Sequence, residues 1–371
     1  MEAVLTRRDL NRATLARQHL LERTTRSAVD VVSHLAGMQA QAQAPFPPYF
    51  GLWSRVDGFT AEELVDLLES RTVVRCSLQR GTVHLVTAAD ALWLRPLLAP
   101  LYERFVRVSP ATAGRLDGVD LDALAAAGRT LLDDDPLTLA EFGRALAPTW
   151  PDRDPRALGH AVPLLTPLVQ VPPRALWGRS GPPRLAPLET WVGAPLDPDL
   201  AVDDLVLRYL AAFGPASVLD AQRWAGLAFL GETFERLRPR LVTFRDEDGR
   251  ELFDLPDAPR PGGDAGAPIR LVAAYDDLLL GHADRTRIYD VEHQRRLIPV
   301  NAVIPATVLV DGFVDGTWTW AATRSRAEVT ITPFSLWPRR VRADVEAEAR
   351  HLLARAAPEV PAHEVHVTEP A

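Results

Sequence analysis

The 371-residue chain contains no lysine at all, so its 41 basic residues are all arginine. No side-chain amine is therefore present for a Schiff base or a P-loop, and the N-terminal amine is the one loophole. A single cysteine, Cys76, excludes an internal disulfide and a cysteine zinc cluster. No apolar run is long enough to cross a bilayer, and the N-terminus carries no signal-peptide pattern. A cytoplasmic protein with neither cofactor nor metal is the expectation. Excess positive charge is also lacking: the net charge is −8, which argues against a generally basic nucleic-acid binder. The 32 prolines and the all-arginine usage look like a coding bias.

What is present is uneven. Residues 1–110 carry 13 arginines against 11 acids, with six of those arginines between Arg7 and Arg26, whereas residues 111–205 carry 8 against 14. A local basic face on an acidic protein can dock a phosphate backbone; a solvated helix surface reads the same way.

A pattern recurs along the chain. Residues 6–21 read as a helix with Leu10, Leu15 and Leu20 or Leu21 inward, and a second helix opens at Ser27 and Asp30 and reaches about Met38. Thr60-Ala61-Glu62-Glu63 is a capping box, and Val73–Leu78 and Thr82–Val86 are β-rich runs around Gln79-Arg80-Gly81. Helices followed by such a hairpin make a winged helix-turn-helix. The pattern returns with helices at 121–132, 137–146 and 155–168 and a wing across 169–186. A third copy has helices at 200–213, 218–226 and 232–237 and strands at 241–245 and 251–255. The units lie roughly 90 residues apart, which marks an internal repeat. Residues 257–268 are a proline- and glycine-rich linker to a β-rich, barrel-like module, with Val314–Thr317 turning a hairpin and Val341–Ala356 a closing helix. The expected fold is α+β: winged helices at 1–110, 111–195 and 196–256, then the β-rich domain 257–371.

Gly37-Met38-Gln39-Ala40-Gln41 through Pro45 is the stretch with chemical interest. In a helix Gln39 and Gln41 point to nearly opposite sides; in an extended segment they share a face. On spacing alone the stretch is first a polar helix end fraying into a proline-rich turn. If the pair acts together, the chain leaves helical geometry between Met38 and Ala42.

Four stretches together carry a resemblance: Met38-Gln39-Ala40-Gln41, Arg80-Gly81-Thr82-Val83-His84, Phe213-Gly214-Pro215-Ala216 and Tyr275-Asp276-Asp277 through Arg285. Their order and spacing resemble the tandem winged-helix proteins of the AlkZ/YcaQ group over nearly the whole chain. That group includes DNA glycosylases that unhook bulky alkylated guanines and interstrand crosslinks. The resemblance implies that Gln39 and Gln41 are the catalytic pair, in the Gln-x-Gln branch associated with self-resistance to DNA-alkylating natural products. The chain departs from the group's pattern at Ala273-Ala274-Tyr275 and at His282, which bears on substrate identity.

The implied function is a monofunctional DNA glycosylase, acting as a monomer on double-stranded DNA that carries a bulky or crosslinked N7-alkylguanine, with no membrane partner. An amide is neither acid nor base near neutral pH, but a cationic N7-alkylguanine leaves without a general acid. Arg80, His84, Tyr275, His282, Arg285 and Trp318 are the candidate DNA contacts. Each also has an ordinary structural reading: a packed, hydrogen-bonded histidine, a turn arginine in solvent, or a core tryptophan. Asp276, Asp277 and Asp284 read first as ion-pair partners. The alternatives to an enzyme are a non-catalytic winged-helix regulator and a protein that sequesters the alkylating drug itself. Gln39 and Gln41 are expected on a concave, solvent-exposed surface, with the hairpin 310–321 reaching toward the DNA.

Overall fold

Two left-handed residues decide where the glutamine stretch goes. The helix Ala28–His34, capped by Ser27, stops short of Met38 because Ala36 (φ 54°) and Gly37 (φ 104°) turn the chain back. A Cβ on Gly37 would stand 3.2 Å from the Leu85 carbonyl oxygen, so glycine also permits the close approach that follows. Met38–Gln39 then form a strand. The computed structural model describes residues 3–41, 46–133, 135–199, 201–298 and 303–370; Ala42–Pro45, the end of the glutamine stretch, lies outside them.

The chain begins with β1 (Val4–Leu5) and the helix Arg7–Arg17, which has a complete capping box between Thr6 and Asp9. It ends before position 21 because His19 is left-handed (φ 55°); Leu10, Leu15 and Leu20 are buried, as their spacing implies. Next come β2 (Met38–Gln39), the helices Pro47–Arg55 and Ala61–Glu69, β3 (Val73–Ser77) and β4 (Val83–Thr87). Thr60 caps its helix by accepting from the Glu63 amide, while the Glu63 carboxylate accepts from the amide of Ala28. Helices at Leu121–Thr130, Leu139–Leu146 and Pro155–Leu165 precede β5 (Leu168–Val171) and β6 (Arg184–Pro187). Helices at Val202–Phe213, Val218–Ala225 and Gly231–Leu237 precede β7 (Val242–Asp246) and β8 (Glu251–Asp254).

The hairpins do not stand apart. One sheet runs β2-β4-β3-β5-β6, with Cys76 opposite Val169, so strands from ranges 1–110 and 111–195 share a single sheet. β1 pairs in parallel with β7, Val4 opposite Arg245, which ties the N-terminus to the hairpin β7–β8. Arg17 reinforces that tie by a bidentate pair with Asp254, both side chains fully buried.

The C-terminal sheet is β13-β12-β11-β10-β9, built from β9 (Arg270–Val272), β10 (Ala306–Val310), β11 (Phe313–Ala322), β12 (Arg326–Pro333) and β13 (Ala362–Val367). It is open, with β9 and β13 as its edges, and so corrects the expectation of a barrel-like module. The helix Arg339–Ala356 packs on this sheet with Val345, Ala349, Leu352, Leu353 and Ala356 buried, so its apolar face is covered without closure. The hairpin turn also differs from expectation. It falls at Asp311 (φ 48°) and Gly312 (φ 81°) rather than at 314–317, because Asp-Gly there supplies the two left-handed residues of a tight hairpin. Arg8 and Arg12 both bond the Asp311 carboxylate, so this end of the hairpin is clamped to the first helix rather than free to reach DNA. No described helix is long and apolar enough to cross a membrane.

Candidate active site

In the first sheet Gln39 stands opposite His84, and His84 opposite Cys76. Residues opposite one another share a face, so Gln39 and His84 are neighbours on one side of the sheet. The ladder continues one residue past β2, the Ala40 amide donating to the Val83 carbonyl at 2.7 Å. The segment is therefore extended, and Gln39 and Gln41 do share a face: Gln39 Nε2 donates to Gln41 Oε1 at 2.9 Å.

Donor counting fixes which way these amides point. A guanidinium has no acceptor. Arg80 lies 2.7 Å from Gln39, so the atom facing it is Oε1. That turns Gln39 Nε2 toward Gln41, and the Gln41 atom receiving it is again an oxygen. The same Arg80 Nη2 donates to Asp277 Oδ1 at 2.6 Å and lies 3.5 Å from His84 Nε2. His84 Nδ1 sits 2.9 Å from the Thr82 carbonyl, an acceptor, so Nδ1 carries the proton and Nε2 presents a lone pair to the arginine. Burial lowers the His84 pKa to about 4, the facing Asp277 and Arg80 pulling in opposite directions; the ring is neutral at neutral pH.

Arg80 therefore does not extend into solvent as a wing-tip contact. Left-handed at φ 57°, it sits in the turn Gln79–Gly81, and a Cβ on Gly81 would meet the Phe105 ring at 2.3 Å. Its Nη1 donates to the Trp224 carbonyl at 2.9 Å. One guanidinium thus joins the first hairpin, the helix Val218–Ala225 and the start of the helix Asp277–Leu280. The preceding residue, Asp276, takes Arg55 in a bidentate pair at 2.7 and 2.8 Å and caps that short helix through the Leu278 amide. Asp284 pairs with Arg250. Asp277 is the site partner whose role sequence reasoning left among ion pairs; adjacent acids splitting toward two arginines leave no spacing signal.

Exposure separates the glutamines. Gln39 is 5% exposed beneath Arg80, whereas Gln41 is open to solvent. The expected exposure of both thus fails for Gln39, because β2 is stitched to β4 and its amide is covered. The cavity between Gln39, Asp276 and Asp277 has a volume of about 10 Å³, room for one water and far too small for a purine.

The other candidates divide. Arg285 donates to the His282 carbonyl at 3.3 Å and lines an open groove of about 710 Å³ with Arg80, Arg104 and Arg223; no carboxylate lies on its described walls. Tyr275 is half-buried, left-handed at φ 57°, two residues before Asp277. His282 is 1% exposed, bonded to the Phe213 carbonyl at 3.0 Å among Tyr209 and Phe213, and Trp318 is 4% exposed, its Nε1 donating to the Val272 carbonyl at 2.9 Å. Both are packed inside, out of reach of DNA, as buried polar aromatics require partners. Glu328, Glu364 and His366 lie close enough to share an ion, but Arg326 lies within 3.5 Å of both carboxylates.

The model of the AlkZ-like DNA glycosylases matches residues 32–355, a span that includes every member of this cluster. The chain belongs to the AlkZ-like DNA glycosylase family. An AlkZ-like relative, the interstrand DNA cross-link repair glycosylase of Streptomyces sahachiroi, is 27% identical over 378 residues, covering 91% of this chain and 93% of that one. The solved structure of the Streptomyces sahachiroi DNA glycosylase AlkZ matches 99% of this chain and 100% of its own, with TM-score 0.80 and 24% identity. At that identity the likeness shows the AlkZ fold.

Buried neutral histidines give this AlkZ-like chain a pH signature. Burial lowers the pKa of His84 and of His19 to about 4, and of His282 to about 3. Each is protonated in the unfolded chain below about pH 6.5. Unfolding then takes up protons, so stability is full above that pH and falls as pH drops through the window toward about 4, by up to about 3 kcal/mol per pH unit from the buried His84 and His282, with the half-buried, solvent-screened His19 adding less. Calorimetric melting is expected to be flat above pH 7 and to fall steadily from pH 6.5 to 4. A melting temperature that rises on acidification would contradict the assignment.

Proposed function

We propose that the protein is a monofunctional DNA glycosylase that hydrolyses the N-glycosidic bond of bulky or crosslinked N7-alkylguanine, in repair or self-resistance against a DNA-alkylating natural product. The observation that carries the reading is the oriented amide chain Arg80–Gln39–Gln41, which starts at an arginine on the wall of an arginine-lined groove and ends on an exposed glutamine. A relative named for interstrand crosslink repair supports the substrate class. The tandem winged-helix reading rests on the helices that precede each of the hairpins β3–β4, β5–β6 and β7–β8.

The chemistry follows from donor orientation. Gln41 Oε1 receives one hydrogen bond from Gln39 and keeps a second lone pair. Aimed at the sugar, that oxygen orients a water against the anomeric carbon and places a partial negative charge where oxocarbenium character develops. The C1′–N9 bond breaks, its electron pair neutralises the purinium, and no general acid is needed. Water oxygen bonds to C1′ and its proton leaves to solvent, giving an abasic site and free N7-alkylguanine. Without lysine, no side chain can form the Schiff base through which a bifunctional enzyme cuts the strand, which supports the monofunctional reading. Because Gln41 is exposed and the adjoining cavity holds only one water, the lesion is attacked in the duplex, not flipped into a pocket.

DNA affinity is assigned to the groove. Arg104 and Arg223 are exposed on its wall. Replacing each by alanine is expected to lower affinity for undamaged and damaged duplex alike. The salt slope of log K should fall by about 1 for each phosphate that is no longer neutralised. A double variant with wild-type slope would remove the groove from the DNA interface. Incubation with N7-methylguanine duplex should release base and leave alkali-labile sites; a nick made by the protein itself would contradict the monofunctional reading.

A further inference from the structure

Arg75 is 3% exposed in the middle strand β3, and no described carboxylate pairs with it. Its Nη1 donates to Gln170 Oε1 at 2.9 Å, its Nη2 to the Ala40 carbonyl at 2.7 Å, and its Nε is buried with no partner among the described residues. The Phe46 ring lies against the guanidinium, 4.7 Å from its carbon, with Arg174 on the same ring at 5.9 Å. Burial, with Arg174 nearby, lowers the Arg75 pKa to about 9. A buried cation without an anion is costly for stability and persists where it does something a neutral residue does not.

What it grips is the central residue of the glutamine stretch. Ala40 is fully buried; its amide is held by the Val83 carbonyl and its own carbonyl by Arg75. β2 is only two residues long, so beyond Gln39 little else in the ladder enforces extension. Relaxation of Ala40 toward helical geometry would swing Gln41 off the face it shares with Gln39 and break their hydrogen bond. Arg75 stands one position from Cys76, which is opposite His84, so by strand alternation it lies on the other face of the sheet from the glutamines. It acts on the backbone from behind and does not reach a substrate on the glutamine face.

We infer that Arg75 is a positioning residue, which holds the Gln39-Ala40-Gln41 backbone extended so that the two amides act as one. The inference rests on the catalytic reading of that pair, and the test separates the two. Arg75→Met and Arg75→Lys, in the full chain, are compared for kcat and KM of base release from duplex carrying one N7-methylguanine. Melting temperature and amide exchange over residues 38–41 are measured alongside.

Arg75→Met is expected to lose kcat by about tenfold or more at unchanged KM. Its melting temperature should stay within a few degrees of wild type, because loss of the two hydrogen bonds is offset by removal of a buried charge. Exchange should quicken at residues 38–41 and not across the chain, and Arg75→Lys, which keeps a donor and a charge, should recover part of kcat. Wild-type kcat with wild-type exchange in Arg75→Met overturns the inference. So does a loss that tracks lowered melting with exchange raised everywhere, since Arg75 is then only a core residue. If the wild type releases no base, the glycosylase reading fails, and local exchange alone decides whether Arg75 holds the segment.

Discussion

Replacement of Gln41 by alanine is expected to slow single-turnover base release by about 10²-fold while leaving duplex affinity near wild type. One oriented donor or acceptor aimed at developing charge is typically worth that factor. Gln41 is exposed, so its loss costs only the hydrogen bond from Gln39 Nε2, which solvent entering the vacated space replaces, and the folded chain should be little perturbed. Gln39→Ala should slow release by a similar factor for a different reason. Gln39 is buried, with one amide end on Arg80 and the other on Gln41, so its removal frees Gln41 to rotate and leaves Arg80 short of an acceptor. The double variant should be scarcely slower than either single one, because the two amides act through one hydrogen-bonded chain. Multiplicative losses would mean that each glutamine contributes independently.

Arg80→Ala should lower both kcat and stability, and by more than a surface arginine would. Its side chain is 16% exposed and that of its partner Asp277 only 8%. Truncation leaves a carboxylate nearly buried without its cation, a loss of about 2–3 kcal/mol once the partial exposure of the pair is discounted. It also removes the donor that fixes the Gln39 amide, for which a further loss of about 10²-fold in kcat is expected from misalignment. Arg80→Lys should not rescue, because one ammonium cannot bond the Trp224 carbonyl, Gln39 and Asp277 in their fixed directions. Asp277→Asn should shift kcat the same way, and its effect should not add to that of Arg80→Ala. If Arg80→Ala keeps wild-type kcat and melting and only weakens DNA binding, the arginine binds phosphate and the network account is wrong.

Local features were readable from the chain. Ser27 and Thr60 cap their helices, Gln79-Arg80-Gly81 turns its hairpin, and Gly226 (φ 77°) ends the helix Val218–Ala225. Each depends on a few adjacent residues whose preferences act alone. The glutamine pair was readable as a condition: the two share a face only if the chain is extended, and Ala36-Gly37 makes it so. Partners distant in sequence were not. Nothing in Val4 announces Arg245, and nothing in Cys76 announces Val169, because a ladder bond is backbone to backbone and leaves no side-chain signature. Arginine is equally ambiguous: Arg104 on the groove wall, Arg80 inside the site and Arg75 behind it look alike in a sequence without lysine. His282 and Trp318 read as possible contacts because a buried polar aromatic and an exposed one have the same letters; only the Phe213 and Val272 carbonyls that receive them tell the difference.

The most direct test is single-turnover incubation with a duplex carrying one defined N7-guanine interstrand crosslink, followed by mass spectrometry of the strands. The wild type is expected to separate the strands, leaving an abasic site on one and the tethered guanine on the other, with both backbones uncut. Gln41→Ala should bind the same duplex and leave it about 10²-fold longer intact. A wild-type protein that binds the crosslinked duplex tightly and leaves every glycosidic bond in place would contradict the account.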